Sequence, residues 1–126
     1  MISNAKSDNY SKGDINMKSK SPVIVVFVTK EGECFLKQVL AGIEEEGVPY
    51  EVEREQYGTS SELATGAAFQ SLLETGIGID EEFASITICK LPRNKALQSY
   101  RCLDNDKLRL VGNNAARIIK GIPLKY

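Results

Sequence analysis

The run "PVIVVFV", Pro22 to Val28, constrains the fold more than any other stretch of this chain. It is built of β-branched and aromatic residues with no polar position for water. A strand of that kind needs apolar cover on both faces, which suits a central strand of a parallel sheet with helices above and below it. The segments after it supply such helices. Phe35, Leu36, Val39, Leu40 and Ile43 recur at helical spacing between Glu33 and Glu46. Gly47 fits the left-handed position that follows a helix, and Pro49 prevents continuation. Tyr50 to Arg54 alternates and reads as a second strand. Ser60 or Ser61 can cap a short helix running through Phe69, weakened by Gly66. Thr75–Ile79, Ala84–Leu91 and, less strongly, Leu97–Leu103 read as further strands. Asp104 can cap a last helix whose apolar positions are Leu108, Val111, Ala115, Ile118 and Ile119, closed by Lys120, Gly121 and Pro123.

The pattern is β-α-β-α-β-β-(β)-α. Strands alternating with helices early in the chain imply crossovers and a mainly parallel sheet. The expected fold is a small α/β three-layer sandwich of Rossmann-like or flavodoxin-like type. A length of 126 residues suits one domain, placed at 21–126. Residues 1–20 mix Ser, Asn, Lys, Asp and Gly without an apolar stripe and read as a disordered extension. They contain no apolar core of a secretory signal, and no run in the chain approaches the ~20 apolar residues that span a bilayer.

Charge and residue types narrow the chemistry. A formal net charge of -1 gives no basic excess for nucleic acid or an anionic membrane. Histidine is absent, which removes the commonest general base and zinc ligand and excludes Ser-His-Asp and Cys-His catalysis. Cys34, Cys89 and Cys102 form an odd set without paired spacing, so they read as mostly buried thiols of a reducing cytoplasm.

Three short motifs have both a structural and a functional reading. "GIGID", Gly76 to Asp80, lacks the third glycine and the following helix of a dinucleotide fingerprint, so its glycines read as close backbone packing within a sheet. No Walker A sequence is present, so ATP hydrolysis by this chain alone is not expected. "NNAAR" puts Asn113, Asn114 and Arg117 on the last helix. Asn is a poor mid-helix residue, and an Asn pair on the helix surface beside two alanines would let another surface approach closely. Lastly, Glu44, Glu45 and Glu46 crowd a helix C-terminus, where the macrodipole disfavours anions. At ~100° per residue, Glu45 falls opposite the centre of the apolar stripe and is the most outward of the three. The run is either a solvated face or a place for a hard cation such as Mg²⁺ or Ca²⁺, whose other ligands would have to come from a partner.

Together "GIEEEGVP" (Gly42–Pro49), "TGIGID" (Thr75–Asp80), "ITICKLP" (Ile86–Pro92) and "LRLVGNNAARIIKGIPL" (Leu108–Leu124) resemble, in order and spacing, the small subunit of diol/glycerol dehydratase-reactivating factors. That family is similar in turn to the medium subunit of adenosylcobalamin-dependent dehydratases. The resemblance implies a non-catalytic role. A large chaperone-like ATPase subunit and this small subunit together release damaged cobalamin from the dehydratase, by subunit exchange with its medium subunit. It further implies that Glu45 reaches a metal ion at the large subunit's nucleotide site. Gly47 and Pro49 would then form the turn that presents that acid, with Glu44, Asn113, Asn114 and Arg117 as further interface candidates. The implied location is cytoplasmic, with association to a bacterial microcompartment left open, as is self-association of the isolated chain through its vacant face.

Two rival readings stand beside this one. The chain could be a dehydratase medium subunit, but that is a longer polypeptide with cobalamin-contacting elements, and this sequence ends at Tyr126. A free-standing nucleotide or metabolite binder would need a glycine-rich phosphate loop, which the sequence lacks.

Overall fold

The computed structural model describes residues 19, 21–91 and 96–126. The expected disordered extension over residues 1–20 lies outside them apart from Ser19. Ser19 is docked, its N–H donating to Gln70 O at 2.8 Å and its Oγ accepting from Leu72 N at 3.3 Å.

Among the described residues, five strands form one sheet. They are β1 (Ile24–Thr29), β2 (Tyr50–Glu55), β3 (Thr75–Ile79), β4 (Phe83–Ile88) and β5 (Gln98–Arg101). The helices are α1 (Leu36–Glu45), α2 (Ser60–Gln70) and α3 (Asn105–Lys120). The spatial order is β2-β1-β3-β4-β5. The β-branched run lies beside the sheet's centre, flanked on both sides by parallel partners, with Val26 opposite Val52 and Ile77. Its residues Ile24, Val25, Val26 and Val28 are fully buried, as a two-sided strand requires.

The mainly parallel, Rossmann-like sheet is corrected here. The β2-β1-β3 half is parallel, but β4 and β5 pair antiparallel. Only Asp80, Glu81 and Glu82 separate β3 from β4. A parallel return needs a crossover of a dozen residues or more, so so short a link can only make a hairpin. Asp80 builds the turn: its Oδ1 accepts from the N–H groups of Glu82 and Phe83, each at 2.7 Å, and its Oδ2 accepts from Ser60 N at 2.9 Å. The result is a mixed α/β sheet.

The sheet is covered on both faces. Ile24, Val26, Val28, Ile77, Ile79, Ala84 and Ile86 face α1 and α3, packing on Leu36, Val39, Ile43, Leu108, Val111 and Ala115. Val25 and Phe27 face α2. The alternation within "TGIGI" has a direct cause. Its isoleucines enter the α1/α3 core, and Gly76 and Gly78 lie under α2, where a Cβ would overlap the backbone of Ala64, Ala68 and Ser60. The glycines thus serve packing.

Local ends follow the sequence closely. Thr59, one residue before the expected caps, forms a capping box with Glu62, and Asp104 caps α3 by accepting from Asp106 N at 3.0 Å and Lys107 N at 3.2 Å. Gly47 and Gly121 take the left-handed conformation, at φ 75° and 69°. The first helix starts later than its periodicity implies. Lys30–Phe35 winds as a 3₁₀ segment capped by Thr29, which brings Gly32 against the Asp80 carbonyl, where a Cβ would lie 2.8 Å away.

Candidate functional site at the α1–α3 seam

The site grows from two glycines. Gly42 on α1 and Gly112 on α3 bring the helix backbones into contact. A Cβ on Gly42 would overlap Arg109 O and lie 2.9 Å from Asn113 N, and one on Gly112 would overlap Val39 O. Pairings then advance together along both helices: Gln38 with Arg109, Gly42 with Asn113, Glu46 with Arg117 and Lys120. The helices therefore run side by side in the same direction, and their two electronegative C-termini lie together.

Each acid of the run has a partner within the chain. Glu44 Oε2 accepts from the Tyr50 hydroxyl at 2.7 Å, which holds the Tyr50 phenol above its ordinary pKa. Glu45 Oε1 accepts from Asn113 Nδ2 at 3.0 Å, and its Oε2 from Arg109 Nη1 at 2.6 Å. The Asn113 hydrogen bond, followed by the Arg109 and Lys125 charges, holds the Glu45 carboxyl below its ordinary pKa. Glu46 is the most enclosed, its side chain 10 % exposed. Its Oε1 accepts from Lys120 Nζ at 2.9 Å and its Oε2 from Arg117 Nε at 3.0 Å, and these cations, Lys120 foremost, depress its pKa. Glu45 and Glu46 are thus neutralised by cations of the neighbouring helix, while Glu44 is held by a neutral hydroxyl.

Glu45 is exposed, as its position in the run implies, but it does not point away from every packed face. It leans along the seam toward α3, into an open depression bordered by Gln38, Arg109, Asn113, Lys125 and Tyr126. Gly47 and Pro49 are exposed in the turn beside it.

The surface placement of the asparagine pair is corrected: Asn113 is 1 % exposed and Asn114 is fully buried. The surface that approaches Asn113 closely is α1 itself, admitted by Gly112. Asn113 Nδ2 spans Gly42 O, at 2.8 Å, and Glu45. Asn114 behaves as a substitute peptide group. Its Oδ1 accepts from Lys125 N at 2.7 Å, and its Nδ2 donates to Lys125 O at 2.8 Å and to Gln98 Oε1 at 3.0 Å, which ties the C-terminal segment to β5. Arg117 is held between Glu46 and Pro123 O.

Arg109, Lys120 and Lys125 complete the site and were not singled out from the sequence. The signal was available: Arg109, Asn113 and Arg117 repeat at four-residue spacing, one stripe of α3. The cysteines also need correction. Cys34 is exposed, Cys89 half-buried, and Cys102 alone buried.

A divalent cation fits this seam in one way. Glu45 offers an exposed hard oxygen donor. Among the described residues no three His, Cys, Asp or Glu side chains gather to hold a metal, so the other ligands of a cation at Glu45 would have to come from outside this set. Among the described residues, too, no helix is long and apolar enough to cross a membrane.

The fold of this chain has known counterparts. The family described as dehydratase medium subunit matches residues 21–125. The chain belongs to this family, and within it to the small subunits of dehydratase-reactivating factors. It is 38% identical over 106 residues to the propanediol dehydratase-reactivating factor small subunit of Citrobacter freundii, covering 83% of this chain and 91% of that one. It is 33% identical over 112 residues to the diol dehydratase-reactivating factor small subunit of Klebsiella michiganensis, covering 88% and 90%. Among solved structures, a chain of a diol dehydratase-reactivating factor complexed with ADP and Mg²⁺ superimposes with a TM-score of 0.80 at 33% identity, covering 85% of this chain and 100% of that chain. A glycerol dehydratase reactivase chain gives 0.79 at 29% identity, covering 84% and 98%.

Proposed function

We propose that this chain is the non-catalytic small subunit of a reactivating factor that releases damaged cobalamin from an adenosylcobalamin-dependent diol or glycerol dehydratase. The observation that carries the reading is the superposition of 85% of this chain on the whole of a reactivating-factor chain. The physical work is interface formation. The large ATPase subunit binds and hydrolyses nucleotide, and its nucleotide state sets which partner it holds. This chain exchanges with the similarly shaped medium subunit of the dehydratase, a population shift driven by differential binding. Both events belong to the cytoplasm, where the dehydratase works, inside a microcompartment or outside it.

Within this reading Glu45 is a ligand to Mg²⁺ or Ca²⁺ shared with the large subunit's nucleotide site. The partner's cation takes over the charge neutralisation that Arg109 supplies to Glu45 within this chain. Glu44, Gly47 and Pro49 form the rim of the contact, while Asn113, Asn114 and Arg117 shape it from beneath. The test is reconstitution with omission. A dehydratase inactivated by damaged cobalamin should regain turnover when given this chain, the large subunit, Mg²⁺-ATP and fresh coenzyme. It should not when either subunit is omitted. Full recovery without this chain would refute the role.

A further inference from the structure

We propose that Arg109 is a built-in stand-in for the partner's cation, and that Asn113 holds the Glu45 carboxylate in register while one positive group replaces the other. The inference rests on the reading of Glu45 as a metal ligand shared with the large subunit.

The two oxygens of Glu45 are held unequally. Oε1 accepts from Asn113, a side chain 1 % exposed that is itself tied to Gly42 O at 2.8 Å. Packing fixes that donor. Oε2 accepts from Arg109, whose side chain is 41 % exposed and reaches across the seam on a flexible stem. The Arg109 donor can therefore swing into solvent, whereas the Asn113 donor cannot. Oε2 is the exchangeable position, and a cation there and a guanidinium in its present place would exclude each other by like charge.

Arg109 is also not fully satisfied where it sits. Its Nη1 and Nη2 donate to Glu45 and to Gln38 Oε1 at 2.9 Å, but Nε is buried with no hydrogen-bond partner among the described residues. A donor left unmet is a cost that departure removes. The arrangement favours a cation that arrives with ligands of its own. A free hydrated ion gains one carboxylate and must displace an arginine to get it. An ion already seated in the partner's site brings the partner's whole contact surface with it.

The test is calorimetric titration of this chain into the Mg²⁺-nucleotide-loaded large subunit. Arg109→Met removes the charge and keeps the apolar stem, and Arg109→Gln keeps a neutral donor. Both should tighten Mg²⁺-dependent assembly, by about two- to fivefold, the worth of an exposed ion pair. Arg109→Lys should stay close to wild type, and Glu45→Gln should abolish the metal dependence. Unchanged or weaker assembly of both neutral variants, with Glu45→Gln still damaging, would overturn the stand-in role while leaving Glu45 as the ligand. Wild-type metal dependence in Glu45→Gln would overturn the ligand role, and this proposal with it. Thermal melting of each variant reports whether it is folded, and a neutral Arg109 variant that melts as wild type yet binds no tighter counts against the proposal.

Discussion

Gly42 and Gly112 face each other across the α1–α3 seam so closely that a Cβ on Gly112 would lie 3.0 Å from the Gly42 Cα. The added carbon would also overlap Val39 O, which is backbone and cannot turn aside. Gly112→Ala must therefore spread the helices. Overpacking of this kind costs about 1–3 kcal/mol or more. Denaturant unfolding should show that loss, and assembly with the large subunit should weaken beyond it, because Asn113, which holds the Glu45 carboxylate in register, moves away from it. A Gly112→Ala protein as stable as wild type would show that the seam relaxes freely.

Glu46 should make the fold acid-sensitive. Lys120 and Arg117 hold its pKa below the ordinary 4.5, so the unfolded chain takes up its proton first as pH falls. The contribution of Glu46 is fully present above about 4.5 and is lost as pH drops through the depressed folded value. Glu46→Gln should lower the melting temperature at pH 7 and flatten its decline between pH 5 and pH 3. Parallel wild-type and variant curves through that window would contradict the pairing.

Much of the fold can be read from the sequence, for identifiable reasons. The all-apolar Pro22–Val28 run leaves no option but a doubly covered strand, and Gly47, Asp104 and Gly121 punctuate the helices by local chemistry alone. The sense of β4 and β5 is less evident, because strand patterns carry no direction. It is the three-residue link at Asp80 that sets the reversal. The glutamate run illustrates a different limit. Periodicity on one helix places Glu45 relative to its own apolar stripe, but not relative to a second helix arriving beside that stripe. The partners Arg109 and Asn113 lie 64 and 68 residues away, beyond any local pattern. The same is true of Asn114. A mid-helix asparagine reads as a surface residue until the chain's own C-terminal segment is seen to need an amide there.

Asn114→Leu should free that C-terminal segment. The substitution removes three hydrogen bonds and leaves the Gln98 side chain and the Lys125 peptide seeking water. At about 1 kcal/mol per net bond, a loss of about 2–3 kcal/mol is expected in chemical denaturation, with faster amide exchange at Lys125. Slow exchange at Lys125 in the variant would show that the segment is held by other contacts.

The thiols should separate by reactivity. Burial, then the Asp80 carboxylate and Cys34, push the Cys102 thiol up to about 12, so almost no thiolate exists near neutrality. Cys34 is exposed. Iodoacetamide at pH 8, followed by mass spectrometry, should label Cys34 within minutes and Cys102 only after unfolding. Early labelling of Cys102 in the folded protein would contradict its burial.

The most direct measurement is native mass spectrometry of a mixture of this chain, the large reactivating-factor subunit, Mg²⁺-ADP and intact dehydratase. The account expects this chain to be recovered with the large subunit, or the large subunit to leave it and capture the dehydratase medium subunit in its place. Recovery of this chain inside a dehydratase complex that turns over diol, with the large subunit left unbound, would make it a medium subunit and contradict the account.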